Sequence, residues 1–487
     1  MITVQLNRAD FEYDIHSLVK AFFPAEDVSV GVEEKETEEE ISFHIVTNYL
    51  EDAIEILFFS SGKENEAEQK RTVSVDFSDR KETKNRLKQA YYQMLCEYTK
   101  KSLPWGTLTG IRPTKIPMAF LEEGKDEAFI RNYMKETYFT SDEKIDLSME
   151  VAERELHLLQ KLDYENGYSL YIGIPFCPST CLYCSFTSYP IGIWEKRVDE
   201  YLDALEKEID YVKGHFCGKH LNTVYIGGGT PTTLNPNQLR RLITKIKSSF
   251  DLSHCLEFTV EAGRPDSITR EKLEVLREQG ISRISINPQT MNAETLKIIG
   301  RHHTVEDTIA SFSLARELGF DNINMDLIVG LPGETYEDVT ATMKEILKLE
   351  PDNLTVHSLA LKRAARLKMN WDEYRNMTFE NTNETIALTA DYAKRMHMSP
   401  YYLYRQKNMA GNFENVGYAK TGKAGIYNIL IMEEKQTIAA LGAGAITKRV
   451  YPNERIERCE NVKDVALYIE KIDEMIERKR RLFTVAL

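Results

Sequence analysis

The sequence contains no long hydrophobic run. Its longest apolar stretches, such as residues 437–446, are interrupted by glycine and fall well short of the roughly 20 residues that a membrane-spanning helix needs. The first residues, MITVQLNRADFEYDIHSL, carry acidic side chains where a secretory signal would carry basic ones, and no apolar segment follows them. We therefore expect no membrane span and a cytoplasmic location.

A net positive charge is also missing. The formal net charge is -14 at pH 7, so nucleic acids and anionic membranes would repel the chain unless a local basic patch overrides the sum. We therefore expect no nucleic-acid partner.

The cysteines do not form a disulfide framework. They are an odd set of seven, of which three lie within eight residues and four are scattered: Cys177, Cys181 and Cys184, against Cys96, Cys217, Cys255 and Cys459. In a chain without a secretory signal, this distribution indicates a reducing compartment and a metal or redox site at the group of three.

The apolar material suffices for more than one domain. A chain of 487 residues with 42% hydrophobic residues exceeds the size of one ordinary core. Residues 1–165 mix short alternating apolar runs with helical stretches, which predicts an α+β module of open role. Residues 166–370 are expected to form a core barrel. Residues 371–487 are expected to form a mostly helical module that covers the substrate and cofactor.

The middle part alternates apolar strands with amphipathic helices. We predict strands at 169–176, 223–229, 257–262, 283–288, 322–331 and 353–360, and a helix from Val198 to Val212 with one apolar face. This alternation predicts parallel pairing through right-handed crossovers, and hence an α/β fold with a partial (β/α)6 barrel. Active sites of such barrels lie at the carboxyl ends of the strands. We therefore expect the chemistry just after each strand.

The segment GIPFCPSTCLYCSF places three thiols in the loop after the first barrel strand. A structural zinc site normally has four ligands, and no further Cys or His lies within thirty residues after Cys184. Three thiolates on a 4Fe-4S cluster would leave one iron open to the amino and carboxylate groups of a methionine moiety. The alternatives are a zinc site and three cysteines without a metal.

The pattern CxxxCxxC after a strand, in the context YxGIPFC, resembles the radical S-adenosylmethionine (SAM) superfamily and, within it, the oxygen-independent coproporphyrinogen III oxidase family. The resemblance covers about residues 168–450, and the N-terminal module is similar to that of longer oxidase-like variants. It implies a 4Fe-4S cluster on Cys177, Cys181 and Cys184, with SAM as the second cofactor. Reduction of SAM would yield a 5'-deoxyadenosyl radical.

The motif GGGTPT, residues 227–232, directly follows the second strand. The resemblance implies that Gly228, Gly229 and Thr230 pair with the amino and carboxylate end of SAM. A glycine triplet by itself is also typical of a tight turn. Tyr171, in the first strand, matches a family tyrosine near the cluster and is the predicted catalytic residue, with strand packing as its alternative.

Further residues stand at or beyond the strand ends in the order of the family's SAM contacts. The resemblance implies that Glu261 and Asp326 hydrogen-bond ribose or adenosine groups and that Gln289 and Arg301 orient the ligand. Alternatives are a helix-end cation for Arg301 and a capped strand charge for Asp326. The remaining implied residues, which would line the adenine or second-ligand region, are Ala360 and Ile446.

Coproporphyrinogen III carries four propionates, so a site for it needs cations. The segment KRAARLK, residues 362–368, follows the sixth strand. We predict that Arg363 and Arg366, with Arg405, bind propionates through paired N–H donors; a solvated helix face is the alternative. The implied reaction removes a β-hydrogen and carbon dioxide from propionates and gives protoporphyrinogen IX. It needs an external donor of flavodoxin or ferredoxin type and an electron acceptor.

Two positions depart from the family pattern. The histidine of HxPFC is Gly173 here, and the fourth cysteine of CxxCxC is Phe186. Relatives with altered flanks have other functions, which keeps two alternatives open. One is a haem chaperone, although this chain has GIYNILIM where that group has HNxxYW. The other is a radical SAM methyltransferase that acts on haem.

Overall fold

The computed structural model describes residues 1–484 except 25, 33–40, 61–66, 111, 217, 363, 380, 407, 408, 410–412, 453 and 454. Two compact units are present: Met1–Ala152 with Tyr404–Glu414, and Glu153–Leu403 with Asn415–Leu487. Most of the C-terminal part, predicted as a separate module, thus belongs to the same unit as the barrel. No helix within the described ranges is both long and apolar enough to cross a membrane.

The first unit is an α+β module, as the sequence predicted. Its strands are β1 (Ile2–Leu6), β2 (Val28–Gly31), β3 (Phe43–Tyr49), β4 (Ala53–Ser60) and β5 (Gln69–Ser74), in the sheet order β2-β1-β3-β4-β5. The helices that begin in this unit are α1 (Glu12–Phe22), α2 (Arg80–Thr99), α3 (Lys115–Glu122), α4 (Glu127–Tyr138) and α5 (Asp142–Leu159). Alternate residues of β1 and β3 are buried, because one face of the sheet packs on the core.

The second unit contains the six predicted barrel strands. They are β6 (Gly167–Ile174), β9 (His220–Gly228), β10 (Glu257–Gly263), β11 (Arg283–Ile286), β12 (Ile323–Val329) and β13 (Asn353–Ser358). All neighbouring pairs among them are parallel, in the order β13-β12-β11-β10-β9-β6. Two short strands, β7 (Phe176–Cys177) and β8 (Tyr189–Pro190), pair in the loop after β6. The predicted parallel α/β architecture is therefore confirmed.

The connecting helices are α6 (Ile191–Trp194), α7 (Val198–Lys213), α8 (Pro236–Ser249), α9 (Arg270–Glu278), α10 (Ala293–Ile298), α11 (Val305–Glu317) and α12 (Tyr336–Leu349). The apolar face predicted for α7 is buried. Helices α8, α11 and α12 each begin with a capping box, in which Asn235, Thr304 or Thr335 caps the first turn. These local signals start the helices directly after the loops that follow the strands.

The C-terminal part contains strands as well as helices. Its elements are α13 (Arg366–Met369), α14 (Trp371–Tyr374), α15 (Asn383–Arg395), β14 (Ser399–Tyr404), β15 (Asn415–Ala419), α16 (Ile426–Glu433), β16 (Thr437–Leu441), β17 (Ile446–Val450), β18 (Ile456–Glu460), α17 (Val465–Glu470) and α18 (Ile472–Thr484). The strands extend the barrel sheet to eleven, with β15 antiparallel to β13 and β16 parallel to β6. The sequence predicted a mostly helical module without these strands. Short strands are hard to predict because their formation depends on pairing with the edge of an existing sheet.

Candidate functional site

The three cysteines lie in the loop after β6, at the carboxyl end of the parallel strands. Cys177 and Cys181 are buried, and Cys184 is partly buried. The amide of Leu182 donates to the carbonyl of Ile299 at 3.0 Å, and the Leu182 carbonyl accepts from an amide of the α13 turn at 2.9 Å. The Leu182 side chain is part of a buried apolar cluster. Packing thus positions the loop independently of any metal.

The thiols share one electrostatic environment. Burial, with the neighbouring Cys184 and Cys181, raises the pKa of Cys177 to about 11, although the hydrogen bond from the Thr230 hydroxyl, 3.5 Å from the sulfur, acts in the opposite direction. Burial also raises the pKa of Cys184. Thiols that resist deprotonation in the free protein lose their protons readily to a bound metal cation.

These thiols do not form a site for one ion. Within the described ranges, no group of three or more His, Cys, Asp or Glu side chains could hold a single metal ion. A donor set of thiolates alone suits zinc or an iron-sulfur cluster. A cluster needs one thiolate at each of several irons and not their convergence on one point. A donor set of three thiolates in one loop therefore fits a 4Fe-4S cluster.

The glycine motif packs tightly against the cysteine loop. The amides of Gly229 and Thr230 donate to the carbonyls of Ile174 and Phe176, each at 2.7 Å. A Cβ at Gly229 would lie 2.6 Å from the Phe176 oxygen, and Gly228 has a φ of +106°. Both positions require glycine. The predicted segment thus lies beside the cluster loop, and its contact with SAM stays a prediction.

Glu261 lies beside this motif at the end of β10. Its carboxylate accepts a hydrogen bond from the Tyr225 hydroxyl and one from the Gly228 amide. Burial and the charge of Asp326 raise the pKa of Glu261 to about 7, against the effect of these bonds. A partly protonated carboxyl can donate as well as accept hydrogen bonds.

Asp326 is the second carboxylate of the site, on β12. Asn324 donates to it at 2.7 Å, and His357 Nε2 lies 3.8 Å away. Burial acts to raise the pKa of Asp326, but the hydrogen bonds and charge of these partners and of Thr355 hold it below its usual value. Asp326 thus stays ionised and can accept hydrogen bonds from ligand hydroxyl groups.

Gln289 has the backbone geometry of a constrained site residue. Its φ is +69°, which is uncommon for a residue other than glycine. Its amide donates to the Asp326 carbonyl at 2.9 Å, and the Ile328 amide donates to the Gln289 carbonyl at 2.9 Å. The side-chain Oε1 is buried and has no hydrogen-bond partner among the described residues. A ligand donor would satisfy this oxygen.

Arg301 is buried and faces the cysteine loop. Its guanidinium donates to the Asn287 carbonyl at 2.5 Å and to the Tyr183 hydroxyl at 3.1 Å, and its charge lies beside Cys181. Arg301 follows the end of α10, and its burial shows that it is not a solvated cation. Whether the side chain also orients SAM stays a prediction.

Three tyrosine rings lie beside the carboxylates. Tyr171 and Tyr225, on neighbouring strands, and Tyr427, at the start of α16, stack with centroid distances of 4.5–6.3 Å. A Cβ at Gly228 would lie 3.2 Å from the Tyr171 hydroxyl, so the predicted tyrosine is next to the glycine motif. Tyr427 was not predicted, because its place in the stack depends on α16 packing against the sheet.

The two residues predicted to line the adenine or second-ligand region differ in exposure. Ala360 is buried just after β13, whereas Ile446 is 42% exposed at the start of β17. Their roles stay predictions.

The predicted propionate contacts that the structure describes, Arg366 and Arg405, belong to different units. Arg366, the first residue of α13, donates to the Thr180 carbonyl of the cysteine loop at 3.3 Å. Arg405 belongs to the first unit, where its buried side chain donates to the Leu108 carbonyl and lies over the Trp105 ring. Arg363 lies outside the described residues. A propionate-binding role for these arginines stays a prediction.

The structure gives a physical context for both departures from the family pattern. At Gly173, a Cβ would lie 3.2 Å from the Leu441 carbonyl of the adjacent strand, so a larger side chain would press on that strand. Phe186 is 69% exposed and lies under Lys362, whose Nζ is 5.1 Å from the ring centroid. A thiol at position 186 is not needed to complete the group of three cysteines.

Comparison with known proteins matches this geometry. The model of the radical SAM superfamily matches residues 171–346. The oxygen-independent coproporphyrinogen-III oxidase-like protein HemZ of Bacillus subtilis (strain 168) is 42% identical over 405 residues, covering 82% of this chain and 81% of that protein.

Shorter matches link the chain to two further groups. The heme chaperone HemW of Bacillus subtilis (strain 168) is 43% identical over 198 residues, which cover 40% of this chain and 51% of that protein. The oxygen-independent coproporphyrinogen III oxidase of Escherichia coli (strain K12) is 34% identical over 229 residues, covering 47% and 50%. These two matches span about half of each relative.

A solved structure supports the same assignment. Coproporphyrinogen III oxidase (HemN) from Escherichia coli, described as a radical SAM enzyme, superposes with a TM-score of 0.52 at 25% identity, covering 66% of this chain and 73% of that one. The superfamily uses a 4Fe-4S cluster and SAM, and Cys177, Cys181 and Cys184 are the residues here that would hold the cluster. The chain therefore belongs to the oxygen-independent coproporphyrinogen III oxidase-like family of radical SAM enzymes.

Proposed function

We propose that this protein catalyses the oxidative decarboxylation of coproporphyrinogen III, converting two propionates to vinyl groups and giving protoporphyrinogen IX. A tetrapyrrole substrate is supported by relatives that are named as coproporphyrinogen oxidases or as oxidase-like. The choice of decarboxylation rests on one structural observation, the position of the basic segment after β13.

The described part of this basic segment, Lys362 and residues 364–368, lies against the cysteine loop. Arg366 donates to the Thr180 carbonyl, and the Leu367 amide donates to the Leu182 carbonyl at 2.9 Å. Burial lowers the pKa of Lys362, while the charge of Cys184 acts to raise it. Cations held at the cluster loop would bind a propionate where the radical forms. Such proximity is what hydrogen removal from a propionate requires.

When bound at the reduced cluster, SAM supplies the radical that removes one hydrogen atom from the β-carbon of a propionate. The carboxylate then leaves as carbon dioxide, one electron passes to an external acceptor, and a vinyl group remains. Glu261 and Asp326 would accept hydrogen bonds from the bound cofactor, and the stack of Tyr171, Tyr225 and Tyr427 would limit water beside it.

Haem delivery is the strongest alternative because of the match to heme chaperones. The segment of residues 425–432, GIYNILIM, has no histidine to ligate haem iron. Its amides at Ile426 and Tyr427 donate to the Glu257 carboxylate at 2.6 and 3.4 Å. These hydrogen bonds hold the start of the segment against the parallel sheet. Its lack of a haem ligand and this packing favour an enzyme over a haem carrier.

Anaerobic reconstitution with iron and sulfide, followed by incubation with coproporphyrinogen III, SAM and a reductant, tests the proposal. Mass analysis should find loss of carbon dioxide and vinyl formation, together with 5'-deoxyadenosine. Haem bound and transferred without turnover would identify a chaperone, and a methylated linear tetrapyrrole a methyltransferase. Either result would overturn the proposal.

Variants of the basic segment separate substrate binding from SAM cleavage. R366Q and K362M should raise the KM for coproporphyrinogen III about tenfold, as loss of about 1.4 kcal/mol of charge-assisted binding predicts. They should still form 5'-deoxyadenosine with dithionite. R375Q is the matched control, because Arg375 is exposed and pairs with a surface carboxylate, that of Asp372, at 3.4 Å. An unchanged KM in both variants would show that the segment does not bind the substrate.

A further inference from the structure

Two buried arginines converge on Cys181, and neither acts as a surface cation. Arg301 contacts the loop from one direction, as described above. Arg264, directly after β10, is only 3% exposed. Its Nη1 donates to the carbonyl and hydroxyl oxygens of Ser179 at 2.9 and 2.8 Å, and lies 3.8 Å from the sulfur of Cys181. This arginine was not among the residues suggested by the sequence.

Asp266 fixes the orientation of Arg264. The Nε and Nη2 atoms of the guanidinium donate to the two oxygens of this carboxylate at 2.9 and 2.5 Å. A two-point contact of this kind holds the planar guanidinium in one orientation. Because one edge of the group is occupied by Asp266, the remaining nitrogen, Nη1, points at the cysteine loop.

A buried cation at this place has an electrostatic consequence. A thiolate that ligates iron carries negative charge, and each reduction of the cluster adds more. An N–H donor directed at the sulfur stabilises that charge in a site of low dielectric, and hydrogen bonds to ligand sulfurs help to set the reduction potential of iron-sulfur clusters. Asp266 offsets part of the positive charge of Arg264.

We infer that Arg264, oriented by Asp266, is a positioning residue that stabilises the Cys181 ligand and raises the reduction potential of the cluster. The two charges act in opposite directions on the reduction potential: the arginine stabilises the reduced cluster, and the aspartate limits that effect. This role concerns electron uptake and not the tetrapyrrole, so it is independent of the proposed decarboxylation.

The test is the midpoint potential of the reconstituted full-length protein, measured without SAM by redox titration and electron paramagnetic resonance. R264Q removes the cation and should shift the potential to a lower value. D266N removes the offsetting negative charge but keeps an amide oxygen that can accept from the Arg264 guanidinium, so it should shift the potential to a higher value. R270Q is the control, since Arg270 is an exposed residue of α9 that pairs with Glu317 at 2.9 Å, and it should leave the potential unchanged.

Opposite shifts at unchanged iron content are the signature of a charge effect that mere support of the loop would not produce. Unaltered potentials in both variants, or shifts in the same direction, would overturn the inference. If R264Q fails to retain iron, R264K decides the matter. Lysine keeps the charge but not the fork, so a retained cluster with a potential near that of the wild type supports the electrostatic role. Loss of iron from R264K as well would show that Arg264 acts only by shaping the loop.

Discussion

The hydroxyl of Tyr225 donates a hydrogen bond to the carboxylate of Glu261 at the carboxyl end of the parallel strands. The two side chains come from neighbouring strands, and Tyr225 stacks on Tyr427 on its other side. Burial and Asp326 raise the pKa of Glu261 to about 7 in spite of this bond. The hydrogen bond therefore links the tyrosine stack to a carboxyl that titrates near neutral pH.

E261Q should make the protein less sensitive to alkaline pH in the absence of SAM. The pKa of Glu261 rises on folding from 4.5 to about 7, so the folded state binds more protons in this range and its free energy of unfolding falls as pH rises through it. Between about pH 5 and pH 8, the free energy of unfolding of the variant should therefore rise by up to about 3 kcal/mol relative to that of the wild type.

Denaturant unfolding at the two pH values measures this gain for E261Q. Glu271, an exposed residue near the start of α9, provides the control E271Q, which should show no comparable gain. A stability difference between E261Q and the wild type that is the same at both pH values would contradict the assigned pKa.

C181S should abolish the cluster. The loop supplies three thiolates, and loss of one of these three ligands leaves two irons without protein support. Iron content and the visible absorbance that dithionite bleaches should both fall to background after anaerobic reconstitution. C255S is the matched control, because the Cys255 thiol bonds the Glu257 carbonyl at 3.3 Å away from this loop. Full iron content in C181S would refute the ligand assignment.

L182A should weaken cluster retention without removing a ligand. The Leu182 side chain is buried in the apolar cluster under the loop, and truncation of a buried leucine costs about 2–5 kcal/mol. The loop should open more often, so iron should be lost faster to a chelator. L256A serves as control, since Leu256 is exposed. Equal rates of iron loss in L182A and the wild type would show that packing does not hold the loop.

K88M should stabilise the first unit at neutral pH. Lys88 is 8% exposed and donates to the Thr109 hydroxyl at 2.9 Å. Burial, together with nearby cations, lowers its pKa from 10.5 to about 8. The unfolded state therefore binds more protons between about pH 8 and 10.5, so the free energy of unfolding rises with pH through that window.

Methionine removes the cost of charging this buried lysine, worth up to about 3 kcal/mol at pH 7. Hydrogen exchange of the α2 amides should slow in K88M at pH 7, and the advantage should shrink above about pH 10. K81M, at an exposed position of the same helix, is the control. Faster exchange in K88M would mean that the bond to Thr109 outweighs the charge.

Much of the barrel was predictable because its signals are local. Apolar runs of strand length, separated by amphipathic helices, placed all six parallel strands, and the crossover rule set their direction. The cysteine spacing and the glycine motif needed only their position after a strand to indicate a cluster site. The buried face of α7 followed from helical periodicity alone.

For other site residues, the alternation of polar side chains along the strands was visible in the sequence but did not identify their partners. Polar residues alternate along the barrel strands, as in Arg283 and Ser285 of β11 and Asn287 directly after it, and a period of two places them on one face. The side chain of Asn287 accepts from the Asp326 amide at 3.2 Å. The pattern indicates a polar face but not the partners across strands.

The sequence by itself thus determined the parallel α/β core, the cysteine loop and the cofactor class, because each depends on residues that are close along the chain. Only the tertiary structure decided that Tyr427 completes the aromatic stack, that Arg264 faces Cys181, that Arg405 is buried in the first unit and that five further strands extend the sheet. These features depend on contacts between residues far apart in the chain, and such contacts are selected by packing and burial of the whole fold and not by local propensity.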